Sequence, residues 1–136
     1  MSSNLREFDL GVKEYAEKQV PSMMRDFRDA VALEGLRGMV MLSPVLTGRL
    51  RGNHQVTVGT PADGEVEVED PSGGPTIAKG AAVIASATDP FDPIWIHNGV
   101  PYAGHVNDGT ENQPAVHMLE RTADRLRRAF RVWGGG

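Results

Sequence analysis

The sequence predicts a single α+β domain with N-terminal helices, a small and mostly antiparallel β-sheet with an inserted arm, and a C-terminal helix packed on the sheet. Three observations carry this. Apolar residues recur at helical spacing at both ends of the chain; residues 53–59, 65–69 and 94–97 alternate like half-buried strands; and glycine and proline gather in the middle third. At 136 residues the chain has a common size for one domain and can bury one core.

In chain order, Asn4 with Glu7 three residues later has the spacing of a capping box, and Leu5, Phe8, Val12 and Tyr15 repeat along a first helix to about Gln19, with Gly11 as its weak point. Pro21 kinks this helix or starts another, and Met24, Phe27, Val31, Leu36, Met39 and Val40 carry an apolar face to Leu42, so residues 1–43 form a helical part. Ser43-Pro44 stops it, because the residue before proline is pushed out of the α region. In the turn that follows, Gly48 supplies an unusual backbone angle and Thr47 a local hydrogen bond. Asn53 to Gly59 and Glu65 to Glu69 then read as an antiparallel hairpin with one wet face. Residues 71–93 hold a short helix, Thr76 to Ala87, inside an insertion expected to reach out as an arm toward another subunit.

Ile94 to His97 alternates as a strand that breaks at Asn98-Gly99, where positive φ is easily accommodated. Pro101 suits the first turn of a short helix, Tyr102, Ala103 and Val106 pack back on the strand, and Asp108-Gly109 closes the bracket. Pro114 opens the last helix, along which Val116, Leu119, Ala123, Leu126, Phe130 and Trp133 form a seam directed at the N-terminal helices or across the sheet.

Composition narrows the chemistry. With no cysteine, disulfides, thiolate nucleophiles and cysteine-held zinc are excluded. No secretory leader or membrane-length apolar run is visible, so a cytoplasm-like compartment is expected. The net charge of −4 argues against general DNA binding, yet it hides a polarity. Residues 63–92 carry Asp63, Glu65, Glu67, Glu69, Asp70, Asp89 and Asp92 against Lys79, whereas Arg121, Arg125, Arg127, Arg128 and Arg131 stand against Asp124. Copies meeting head to tail, acidic segment on basic helix, would use that polarity.

Four motifs, in order, together resemble one family: Ser43-Pro44-Val45-Leu46-Thr47-Gly48-Arg49-Leu50-Arg51-Gly52, then Ile94-Trp95-Ile96-His97-Asn98-Gly99-Val100-Pro101-Tyr102-Ala103, then Val106-Asn107-Asp108-Gly109-Thr110, then Gln113-Pro114-Ala115-Val116-His117-Met118-Leu119. They look like the neck or tail-completion proteins of long-tailed bacteriophages, a group that includes the lambdoid minor tail protein Z. Leu46 departs from the aspartate usual there, so that side chain has no turn-capping role. His105 and Asn107 stand where the pattern is often apolar and acidic, a change expected to bear on a subunit contact.

The resemblance implies a non-enzymatic virion protein, without cofactor or membrane contact, assembled in the host cytoplasm. It would form a homo-oligomeric ring, a hexamer, between the head-closure (stopper) protein and the tail terminator or tail tube protein, with genomic DNA passing through the lumen. A tail terminator or head-closure ring of the same connector is the alternative. Such a lumen must not hold phosphates, so Glu65, Glu67, Glu69 and Asp70 are expected at the channel and Arg121, Arg125 and Arg128 toward a neighbour. Arg49 and Arg51 are expected to meet a neighbouring copy's acids. A metal hydrolase built on His97, His105 and His117 with Asp108 and Glu111 lacks any ligand spacing that would gather them, and a nucleic-acid binder lacks a basic stripe.

Overall fold

The computed structural model describes residues 15–131. The expectations at Asn4, Leu5, Glu7, Phe8, Gly11, Val12 and Trp133, and for the Tyr15 side chain, lie outside what is described. A π-helical turn, Tyr15–Gln19, leads into a long helix α1, Val20–Leu42, with Pro21 in its first turn. Proline has no N–H to return to the preceding turn, and a widened turn is one way for the chain to continue through it. Then follow α2 (Arg49–Gly52), β1 (His54–Val58), α3 (Gly74–Ser86), β2 (Ile94–Asn98), α4 (Ala103–Asp108) and α5 (Met118–Phe130), the α+β arrangement read from the sequence. No helix among the described residues is long and apolar enough to cross a membrane.

α1 is the spine, and glycines let its neighbours approach closely. A Cβ on Gly80 of α3 would stand 2.3 Å from Leu36 Cδ2 and 2.8 Å from Val56 Cγ2, so α3 wedges between α1 and β1. A Cβ on Gly38 would stand 2.8 Å from Thr122, which sets the crossing of α1 and α5, and Phe27 meets Phe130 edge-on at 5.7 Å further along. Leu36, Val40 and Ile84 are buried in this layer, while Leu50, Val100 and Met118 form a second cluster surrounded by Met39, Leu42, Tyr102, Val106 and Val116.

Four expectations are corrected. The sheet pairs β1 with β2, antiparallel, from His54 opposite Asn98 to Val58 opposite Ile94, and the 65–69 segment is no strand. That segment passes α2, whose helical turn offers no extended edge; Gly48 C=O accepts the Asp70 N–H there at 3.0 Å. Second, residues 71–93 are no protruding arm. Their helix packs on α1 and β1, and Arg28 donates to the carbonyls of Ala87, Asp89 and Asp92 while Arg25 donates to that of Ala85. The small residues that suggested weak burial are what permit the close packing.

Third, α5 begins at Met118 rather than at Pro114; of its two expected partners, the N-terminal helices or the sheet, it packs on α1. Residues 115–117 first run beside α4, with Val116 N–H on Val106 C=O and His117 N–H on Asn107 C=O. The buried positions of α5 are therefore Met118 and Thr122, with Ala123, Leu126 and Phe130 partly buried, and Leu119 of the expected seam is 58% exposed. Fourth, neither Asn98 nor Gly99 has positive φ. Gly99 is needed because a Cβ would fall 1.9 Å from Gly64 O.

Asn107 belongs to this fold rather than to a subunit contact. It is buried; its Oδ1 accepts the Leu119 N–H at 2.9 Å and its Nδ2 donates to the Glu120 carboxylate at 3.1 Å. His117, at the start of α5, makes no side-chain cap, so a residue ten positions upstream caps the helix instead. Asn107→Ala is expected to lower stability by about 1–2 kcal/mol in urea unfolding, with helix content retained in the native baseline.

Candidate subunit-contact surface

The motif residues converge on one corner. Gly48 sits at φ +84°, and a Cβ there would stand 2.4–2.5 Å from the backbone of Asp70 and Pro71. Thr47 Oγ1 lies 3.4 Å from the Arg49 N–H it faces, and Pro44 follows Ser43, whose extended backbone ends α1. Asn98 Nδ2 donates to Leu50 C=O at 2.9 Å and its Oδ1 accepts Val100 N–H at 3.1 Å, so this side chain joins the end of β2 to α2. Pro101 and Tyr102 make the turn into α4, and Gly109 leaves it at φ +84°, where a Cβ would stand 2.8 Å from the Ala115 backbone nitrogen.

Leu46, in the same corner, holds φ +41° with 78% of its surface exposed. Asparagine tolerates the left-handed region better than leucine, so Leu46→Asn is expected to raise stability by about 1 kcal/mol, read as a higher urea midpoint.

The arginines of this corner serve their own chain. Arg49 forks onto Glu65 (Nε to Oε2 3.0 Å, Nη2 to Oε1 2.6 Å) and lies 5.3 Å over the Tyr102 ring. Arg51 donates to the carbonyls of Ser43 (3.0 Å), Pro71 (2.9 Å) and Met41 (3.3 Å). The expectation that both meet a neighbour's acids is corrected: Glu65, in the strap of residues 64–70, takes Arg49, and backbone carbonyls at the end of α1 and at Pro71 take Arg51.

Asp70 is corrected too. It is 5% exposed and accepts from Thr76 N–H (2.8 Å), Thr76 Oγ1 (2.5 Å), Gly73 N–H (3.1 Å) and Ser72 Oγ (3.3 Å), and so caps α3 instead of facing a channel. Burial pushes its carboxyl pKa up, but these hydrogen bonds together outweigh that and hold it below the usual range. In sequence Asp70 stands at the end of an acidic run. The Asp-x-x-x-x-x-Thr spacing before a proline-opened helix was the signal available.

Glu67 and Glu69 remain as exposed acids with no hydrogen-bond or ion-pair partner among the described residues. Their strap is tied to β1 by side chains alone: Asn53 pairs with both backbone groups of Val66 (2.7 and 3.1 Å), and Gln55 Nε2 donates to Gly64 C=O (3.0 Å). Between strap, β1 and α3 lies a cleft of about 440 Å3, lined by Val56, Thr57, Val66, Val68, Gly80 and Val83 among others, with Lys79 at its side.

On α5, Arg125 pairs with Glu34 of α1 at 3.1 Å, so this member of the row is engaged within the chain. Arg121 and Arg128 are exposed; among the described residues the Arg121 side chain reaches the Val116 carbonyl at 3.5 Å. The histidines do not converge: among the described residues no group of three or more His, Asp or Glu is placed to hold a metal. The buried histidine is His54, at the start of β1. His54, 3% exposed, sits with Nε2 2.7 Å from Ser43 Oγ, while its Nδ1 has no hydrogen-bond partner among the described residues. Burial drives its pKa down to about 4.

No protein-family model, curated protein or solved structure matches the chain.

Proposed function

We propose that this chain is a structural subunit of a bacteriophage neck, forming a ring that joins the head-closure complex to the tail and lets DNA pass through its lumen. The observation that carries the reading is an imbalance between core and surface. Among the described residues, the buried apolar side chains are Leu36, Val40, Leu50, Ile84, Ala87, Val100 and Met118. Met23, Met24, Met41, Val45, Leu46, Phe91, Trp95 and Leu119 stay exposed on several sides. Isolated exposed apolar residues are ordinary, but so many large ones over so thin a core fit a subunit that completes its burial against copies of itself.

The sequence motifs supply the kind of assembly. Their residues make corners and tethers rather than a reacting centre, as a scaffold requires. Glu67 and Glu69 are the candidates for an acidic lumen, where weak attraction to phosphate favours passage. Size-exclusion chromatography and negative-stain microscopy of the purified chain test the reading, followed by antibody labelling of virions. Rings with a central hole and label at the head-tail junction are expected. A monomer at every concentration, or label elsewhere on the particle, overturns it.

A further inference from the structure

We infer that the turn carrying Phe91 docks on a neighbouring copy, where the end of α5 meets the exposed start of α1; the inference rests on the ring reading and names the contact that builds it.

The docking element is a preformed knob. Residues 89–93 read Asp-Pro-Phe-Asp-Pro, and Phe91 in the middle is 72% exposed. Asp89 ties the turn from within: its Oδ1 accepts the Phe91 N–H at 2.9 Å, and its C=O accepts the Asp92 N–H at 3.1 Å. From α1, Arg28 donates to the carbonyls of Ala87, Asp89 and Asp92. The knob therefore presents an aromatic ring between two carboxylates on backbone that has little freedom left to lose on binding.

A surface of matching chemistry lies toward the N-terminal end of α1. Helix α5 runs along α1 until Phe130 meets Phe27 edge-on. Val20, Met23 and Met24 lie on that same side of α1, up to about two turns before Phe27, and are 37%, 45% and 40% exposed. The end of α5 thus stands over an apolar step. At its rim are Arg128 and the C-cap residue Arg131, both exposed and without a hydrogen-bond or ion-pair partner among the described residues. Thioethers suit the edge of an aromatic ring, and two guanidinium groups suit the two flanking carboxylates.

Topology makes the partner a second copy. Arg25, Arg28, Leu36 and Val40 of α1 turn toward α3 and the knob, whereas Phe27, Glu34 and Gly38 turn toward α5. At 3.6 residues per turn these stripes lie about 160° apart, so α1 stands between a chain's knob and its own step. Each copy then donates on one side of α1 and accepts on the other, which is a heterologous contact. Both surfaces lie toward the same end of α1, so successive copies are displaced sideways rather than along the helix, as ring closure requires.

The chain has no cysteine, so thiols can be introduced singly. Full-length F91C is mixed with full-length M24C under mild oxidation. A disulfide-linked dimer is expected from the mixture and not from either variant alone. F91R spoils the knob and R128E/R131E the step. Each should weaken self-association about tenfold or more, while circular dichroism keeps the wild-type helix signal. Mixed together, these two variants should stop at a one-to-one dimer, because only one intact contact can form. If wild type forms rings but F91C and M24C stay unlinked, or F91R and R128E/R131E form rings as readily as wild type, this contact is wrong and the ring reading stands. Links between F91C chains alone would mean a two-fold contact and overturn it too. Wild-type chain that stays monomeric throughout defeats the ring reading, and this inference with it.

Discussion

Alanine at position 48 is expected to lower stability by about 3 kcal/mol and to free the strap that carries Glu67 and Glu69. Two effects add. The backbone there is left-handed, φ +84°, which costs an L residue about 1–2 kcal/mol. The new Cβ would also stand 2.4–2.5 Å from backbone atoms of Asp70 and Pro71, and backbone, unlike the tip of a side chain, cannot turn aside. Relief requires the strap to lift, which breaks the Asp70 N–H to Gly48 C=O bond and pulls Asp70 from its cap on α3. Set against a domain stability of about 5–15 kcal/mol, this is a large share. Gly59→Ala is the matched control, because φ there is +90° but nothing among the described residues lies within 4 Å of the added atom; a loss of only about 1 kcal/mol is expected. Urea midpoints give the two values, and limited proteolysis across residues 60–70 reads the strap directly. Equal losses for the two variants would show that backbone angle alone matters at Gly48 and that the strap is not held there.

What the sequence made legible follows the range of the signals. The stop at Ser43-Pro44, the left-handed Gly48 and the exit at Gly109 rest on preferences of one or two residues, and each is where local chemistry puts it. Strand alternation in residues 54–58 and 94–98 was legible for the same reason. Pairing was not, because alternation states that a segment is extended and says nothing of its partner. The 65–69 segment alternates as cleanly as β1 and still finds a helical turn, α2, alongside it.

Helix α3 shows the converse. Its alanines and Gly80 look like poor core material one by one, and their value appears only when Leu36 and Val56 fill the space they leave. Arg25 and Arg28 look like solvated charges on α1, yet their hydrogen bonds go to carbonyls about sixty residues away. The cleft lies in the same long-range category: β1, the strap and α3 are separate in sequence, and no local pattern announces that they enclose a space.

Acid is expected to weaken the fold between pH 6.5 and 4 through one residue. Ser43 Oγ lies 2.6 Å from Met39 C=O, so its proton is committed there and His54 Nε2 is the donor toward Ser43 Oγ. The lone pair on Nδ1 is then buried and unpartnered, and a proton placed on it would create a charge with no acceptor. His54 accordingly stays neutral in the folded chain until about pH 4, while in the unfolded chain it takes its proton near pH 6.5. Below pH 6.5 the unfolded state binds the extra proton, so stability that is complete above that value is lost as pH falls toward the folded pKa. By pH 4.5 the loss reaches about 2–3 kcal/mol. Asp70 is silent in this window, because its depressed carboxyl pKa withdraws stability only below the unfolded value of 3.8. The test is the urea stability of wild type and His54→Gln from pH 7.5 to 4.5. The amide can still donate to Ser43 Oγ but cannot titrate, so wild type should lose about 2–3 kcal/mol relative to the variant across the range. Two parallel curves would mean that the buried imidazole gains its proton in the folded state as easily as in the unfolded one, and that Nδ1 is reached by a donor-accepting group or solvent after all.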